Sequence, residues 1–163
     1  MKSKRKILSG TMVVTFLFTM MMAMTVCMAS VPDSEISIGG VSYGSSIDDV
    51  RNSYGAPDKV DTTNRHPLWR GFVDTYYYGS SFKVIFSDGN TVFISSTANN
   101  GLGTPAGVLV GMNRNTLRDV YGSPDGHASN YYFYQSESNS YVGLKFMLNS
   151  QGKITAIYAG SFD

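Results

Sequence analysis

The chain has 163 residues, with 13 basic and 12 acidic side chains, 42% hydrophobic and 13% aromatic residues, and a single cysteine. Four of the basic residues, Lys2, Lys4, Arg5 and Lys6, lie in the first 29 positions, so the remainder carries nine basic against 12 acidic groups, a formal charge of −3. That balance speaks against nucleic acid as a partner, because neutralising phosphates needs a basic surface. With Cys27 the sole cysteine, residues 30–163 can hold neither a disulfide nor thiol chemistry.

Residues 1–29 have the form of an export signal: the four cations precede an apolar run, residues 12–28, and no acidic residue falls among them. Ala29, with the small Cys27 two positions earlier, is a plausible cleavage site. Two alternatives stay open. The run approaches the ~20 residues that span a bilayer, so it can remain as an anchor, and Cys27 can be lipidated, although Val26 stands where such signals usually place a small residue. Any membrane association would therefore run through an uncleaved signal or a lipidated Cys27. Residues 30–37 are polar and read as a flexible leader.

Residues 38–96 and 107–163 contain the same stretch twice. GSSIDDVRNSYGAPD at 44–58 and GMNRNTLRDVYGSPD at 111–125 superpose with a shift of 67 positions, which aligns Tyr54 with Tyr121, Gly55 with Gly122, Pro57 with Pro124 and Asp58 with Asp125. Glycine and proline at matching offsets punctuate one backbone shape, so the stretch predicts a tandem repeat. In the first copy, Ile36, Ile38 and Val41 suggest a short extended lead-in. Ser46 is then an N-cap with Asp49 as its capping-box partner, Ile47, Val50 and Tyr54 make one apolar stripe, and Gly55 and Pro57 end the helix. In the second, Asn113 caps, Met112 can staple onto Leu117, and Leu117, Val120 and Tyr121 make the stripe. Helices this short need a surface to lie on.

A sheet is expected to supply that surface. Residues 76–78, 82–86 and 91–95 are rich in aromatic and β-branched residues, with Asp88-Gly89 a hairpin turn; residues 131–134, 141–148 and 154–158 repeat the pattern, with Gln151-Gly152 at the matching turn. Alternation puts Phe82, Val84 and Phe86, and likewise Leu144, Phe146 and Leu148, on a helix-covered core face. The first copy carries about 12 additional residues around 64–73. Residues 97–106 are a turn-rich linker. The fold class expected is α+β: two tandem repeats, each a short helix on an antiparallel sheet of three to four strands, which can join into one continuous curved sheet.

Catalysis finds little support. His66 and His127 each stand beside turn residues, and neither a zinc site nor a Ser-His-Asp relay is indicated by spacing. Asp48 and Asp49 sit in the first turn of a helix, where capping and the helix dipole account for them. The Gly-rich residues 39–46 lead into that helix but lack a phosphate-loop lysine. No catalytic residue, metal site or cofactor is assigned. The surplus aromatics are the candidates, since the tyrosines at 76–78 and the aromatics at 131–134, Phe133 among them, cannot all face one core. Tyr76, Tyr78 and Tyr132 are candidate contacts on a partner-binding surface. The outer strand face adds Lys83, Tyr141, Lys145 and Met147, and the first-copy extension adds Trp69 and Arg70.

Glycine, a capped helix, Tyr-Gly-x-Pro-Asp, a tyrosine-rich strand and a hydrophobic hairpin together resemble the modules of the β-lactamase-inhibitory-protein-like fold. The same motif occurs in the small outer-membrane lipoproteins that assist barrel assembly, which have one module. The resemblance covers about residues 38–160 and implies paired modules whose sheet grips a protein. The function expected is an exported, non-catalytic protein-binding module, such as an inhibitor of an extracytoplasmic enzyme. The alternatives are a cell-envelope structural or assembly factor held at the membrane, and a domain that binds cell-wall glycan. Mass spectrometry of the exported protein separates release from tethering: a chain starting at Ser30 is expected, whereas an acylated Cys27 at the N-terminus would establish a membrane anchor.

Overall fold

A computed structural model of the protein describes residues 30–162. The expected signal, the Ala29 cleavage site and Cys27 lie outside the described residues. The fold is α+β, with two helices, a large antiparallel sheet and a small two-stranded one.

Residues 31–37 are packed in place rather than forming the loose leader expected from their polarity. Val31 and Ile36 are buried, and Val31 N–H donates to the Gln135 carbonyl at 2.7 Å. Ser136 Oγ donates to the Asp33 carboxylate, and that bond holds the Asp33 carboxyl below its ordinary range. Two apolar side chains among polar neighbours suffice to fix the segment once a core exists to receive them. A hairpin follows, β1 (Ser37–Ile38) and β2 (Val41–Ser42), whose Ile38 and Val41 are also buried.

Helix α1 (Ile47–Tyr54) starts with the full capping box. Ser46 Oγ accepts from Asp49 N–H at 3.1 Å, and the Asp49 carboxylate accepts from Ser46 N–H at 3.2 Å. Gly55 ends it at φ +77°. Helix α2 (Arg114–Tyr121) is capped by Asn113, which accepts from Asn115 N–H at 3.0 Å, and ends at Gly122, also at φ +77°. Leu117 and Tyr121 are buried, but Val120, expected in the same stripe, is 41% exposed. It lies about 100° of helix turn behind Tyr121, on the flank rather than on the face toward the sheet.

The strands are β3 (Lys59–Thr63), β4 (Val73–Tyr78), β5 (Phe82–Ser87), β6 (Asn90–Ser96), β7 (Gly126–Ala128), β8 (Tyr131–Gln135), β9 (Val142–Leu148) and β10 (Ile154–Ser161). They form one antiparallel sheet in the order β3-β4-β5-β6-β10-β9-β8-β7. Each helix is thus followed by a four-stranded meander, and the two meanders meet where β6 pairs with β10. The Asp88-Gly89 turn has both residues at positive φ, +49° and +83°, the type I′ geometry that matches strand twist. The edge strands β3 and β7 were not foreseen. Every residue of β3 is exposed, so the segment shows no apolar alternation.

Corresponding bonds tie each helix to its meander. Ile47 N–H donates to the Gly89 carbonyl at 3.1 Å and Arg114 N–H to the Gly152 carbonyl at 2.8 Å, so each helix starts on a hairpin turn. Asp58 accepts from Gly79 N–H, and Asp125 accepts from Gln135 N–H at 2.8 Å. The core face lies under the helices: Phe82, Val84, Phe86, Leu144, Phe146 and Leu148 are all buried there, as their alternation predicts. Residues 97–106 turn inward as well, with Thr104 buried and bonded to the Tyr121 hydroxyl at 2.6 Å.

Tyr121 also donates toward the Glu35 carboxylate at 2.9 Å. Burial, followed by the hydrogen bond to Glu35 and its charge, pushes the Tyr121 phenol well above its ordinary range against the opposing bond to Thr104, and burial does the same to Tyr134. Stability from these neutral phenols is complete below the unfolded-chain pKa of ~10 and is lost as pH rises beyond it. Thermal melts should therefore show a steep loss of Tm above about pH 10. Tyr121→Phe should soften that loss while costing about 1 kcal/mol at neutral pH, because buried Thr104 and the Glu35 carboxylate lose the phenol, although Thr104 Oγ keeps the Val108 N–H.

Candidate functional site

The helix-covered face takes three of the residues assigned to a partner surface. Tyr76 and Tyr132 are 4% exposed, and their hydroxyls accept from Arg51 and Arg118 of the two helices at 2.9 and 3.1 Å. Tyr78 is paired opposite Phe82 and packs against Tyr54, with ring centroids 5.3 Å apart. These three are structural, a correction with a simple cause. A run of consecutive tyrosines gives no parity of its own, so the face is set by the partner strand, where Tyr76 stands opposite Val84 and Tyr78 opposite Phe82. The short turn between Tyr78 and Phe82 would have supplied that register.

Tyr77 therefore points the other way, together with Lys83, and on β8 it is Tyr131 and Phe133 that share the outer face with Lys145 and Met147. Lys83, Lys145 and Met147 stand where alternation put them. Trp69 lies over this face, its ring centroid 6.1 Å from that of Phe93 on β6. Arg70 is exposed beside it, and its carbonyl accepts from Ser87 Oγ at 3.0 Å. Tyr141, 66% exposed, precedes β9 and lines a cleft of about 240 Å³ with Phe133, Lys145 and Phe162.

The rings on this face touch in series. His66 stacks on Trp69 at 4.4 Å, and Trp69 meets Phe93. Phe93 in turn stacks on Tyr158 at 5.6 Å and meets Phe162 edge-on at 5.8 Å. Phe162 then meets Phe133 edge-on at 5.4 Å. The chain of contacts runs from the β3–β4 loop of the first meander to β8 of the second, crossing the β6–β10 seam. Edge-to-face and offset pairs at these distances are the favourable arrangements of aromatic quadrupoles.

Two glycines make room for it. Gly143 and Gly160 are direct partners on the outer face. A Cβ on Gly143 would stand 2.8 Å from the Phe133 ring and closer still to the Tyr134 carbonyl. Gly160 has φ +135° and would clash with Val92 and Phe93 backbone atoms. The Trp69 loop, residues 64–72, is the first-copy extension, and it lengthens the β3–β4 hairpin. It is anchored where Phe72 and Asp88 exchange bonds, Asp88 N–H donating to the Phe72 carbonyl at 3.0 Å and its carboxylate accepting from Phe72 N–H at 3.3 Å.

Lys145 Nζ stands 4.7 Å from the Tyr131 ring centroid and 5.8 Å from that of Phe162, within cation–π range. Among the described residues the single ion pair is Lys59–Asp61, at the β3 edge. Tyr77, Tyr131 and Phe133 belong to the surplus aromatics of the sequence but not to the assigned contacts, and Phe93, Tyr158 and Phe162 belong to neither. Alternation would have found Phe93 and Tyr158, and the short turn after Tyr78 would have found Tyr77. The parity of Tyr131 and Phe133 is instead set by pairing with β9. Phe162 follows β10, held by its N–H bond to the Tyr141 carbonyl at 3.0 Å and by its ring contacts.

No protein-family profile and no curated protein matches the chain. Among solved structures, an extracellular protein containing an SCP domain from Bacillus anthracis str. Ames aligns with a TM-score of 0.53 at 7% identity, over 73% of this chain and 44% of that one. A cysteine-rich secretory protein from Staphylococcus aureus subsp. aureus Mu50 aligns with a TM-score of 0.55 at 12% identity, over 82% and 49%. The chain spans less than half the length of these two proteins, and the likeness is one of fold alone. A DUF4309 family protein from Bacillus subtilis subsp. subtilis str. 168 aligns at a TM-score of 0.42 and 14% identity, over 82% and 88%.

Phe93 is the junction of the aromatic series, so its removal tests whether the rings form one unit. Phe93→Ala should red-shift the emission of Trp69, the sole tryptophan, as its ring loses the face it rests against. It should cost about 2 kcal/mol in denaturant unfolding, below the value for a fully buried phenylalanine because Phe93 is half-buried.

Proposed function

We propose that the protein is an exported, non-catalytic protein-binding module whose partner docks on the outer face of the sheet. The observation that carries this reading is the continuous series of rings from Trp69 to Phe133, which no described helix covers. Aromatic side chains bury large areas at low entropic cost and recur as the anchors of protein interfaces. Trp69 stands at one end of the series and Tyr141 lines the cleft with Phe133 at the other, so a partner spanning the seam would touch both.

The same reading takes the chain as two tandem copies of a helix and four-stranded meander. Its support is the set of paired bonds: Arg51 to Tyr76 beside Arg118 to Tyr132, and Tyr78 to the Gly55 carbonyl beside Tyr134 to the Gly122 carbonyl. Doubled modules joined edge to edge fit the resemblance to the β-lactamase-inhibitory-protein-like fold, and with it a role as inhibitor of an extracytoplasmic enzyme. Export fits the basic, then apolar, N-terminal 29 residues. The two aligned proteins described as extracellular and secretory agree with it.

A pull-down from the producing organism's envelope fraction, with the exported protein as bait, supplies the partner for a direct test. Trp69→Ala combined with Tyr141→Ala should weaken binding by about 2–4 kcal/mol. Tyr132→Phe, altered only beneath the helix, should leave the affinity unchanged. An unaltered affinity in the double variant would place the interface elsewhere.

A further inference from the structure

We infer that the outer face recognises an extended acidic polypeptide segment, with its carboxylates seated at Lys83 and Lys145. The inference rests on the protein-binding reading above and names the chemistry of the partner. One line of backbone partners crosses the middle of the sheet at right angles to the strands. From β4 to β8 it runs Tyr77, Lys83, Ser95, Tyr158, Lys145, Phe133. Apart from Ser95, cations and rings alternate along it, and the two lysines hold corresponding places on β5 and β9, each directly opposite an aromatic residue.

Each lysine also borders a depression shared with that aromatic partner. Lys145 and Phe133 line the cleft of about 240 Å³, and Lys83 and Tyr77 line another of about 200 Å³. Neither lysine has an ion-pair partner among the described residues, and the single carboxylate on the outward strand positions, Asp61, is engaged by Lys59 at 2.6 Å. Residues 30–163, with a formal charge of −3, thus keep an acid-poor, cationic strip on one face among the described residues. Complementary charge there would steer and orient an acidic partner.

The spacing selects the shape of that partner. Three inter-strand steps of ~4.8 Å separate Lys83 from Lys145, roughly 14 Å. Side chains four residues apart on the same side of an extended peptide are about 13–14 Å apart, four rises of ~3.4 Å. An extended segment with acidic residues at those two positions would place both carboxylates at the lysines and its intervening side chain over Tyr158. A neutral glycan fits less well, since the line offers only hydroxyl and ammonium groups, with no amide or carboxylate to fix sugar hydroxyls.

Panning a random dodecapeptide phage library against the exported protein tests this. The expected result is enrichment of peptides with two Asp or Glu residues four positions apart. Synthetic copies should bind at least about tenfold more weakly to Lys83→Gln and to Lys145→Gln, while Lys59→Gln should alter binding by less than about threefold. Enriched peptides without acids, bound equally by the lysine variants, would overturn the acidic specificity and leave the protein-binding reading standing. Failure to enrich any peptide would overturn the inference while the protein-binding reading stands or falls by the pull-down above, and poly(glycerol phosphate) binding in that case would assign the strip to a phosphodiester polymer.

Discussion

The antiparallel pairing of β6 with β10 is the contact on which the outer face depends. Ser95 stands opposite Tyr158 and Phe93 opposite Gly160, so the two meanders are joined in one register and their outward side chains fall into common lines. A shift of one residue at this seam would exchange the faces of one whole half. The rings of Phe93 and Tyr158 could then no longer meet across it, and Lys83 and Lys145 would leave their shared line. The seam is secured from the other side by Ile94, Ser96, Ile157 and Ala159, all buried, with β1 packed against both strands and β2 against β6. The β1–β2 hairpin therefore supports, from the core side, the register of the outer face.

The two faces solve different problems with the same residue types. On the helix side, tyrosine hydroxyls are satisfied by Arg51, Arg118, Thr104 and the helix-end carbonyls, so large aromatic area is buried without orphaned polar groups. On the outer side, Lys59 and Lys145 lie across the Tyr77 and Tyr131 rings. Lysine stems can cover apolar surface while their ammonium groups stay in water. A face that presents rings and cations together can remain hydrated when free and still offer anchors to a partner.

The edges of the sheet follow the same economy. Strand β3 carries Lys59 and Asp61 outward and is exposed along its length, while β7 is only three residues long. Short or charged edges resist pairing with further strands. The broad face between them is thereby favoured over the edges as the place for contact.

Much of the local structure was legible in the sequence because it rests on short-range rules. Ser46 with Asp49, the Gly-x-Pro stops, the Asp88-Gly89 turn and the alternation of Phe82, Val84 and Phe86 each fix backbone shape within a few residues. Lys83, Lys145 and Met147 could be placed outward for the same reason. The sequence by itself thus determined the caps, the turns and the core face of the apolar strands. Tertiary structure decided what no local pattern carries: the parity of the consecutive tyrosines, the β6–β10 seam, the burial of Val31 and Ile36, and the resting place of Trp69 and Phe162. Each is a contact between segments distant in the chain, where the energy lies in matching surfaces rather than in the propensity of either segment alone.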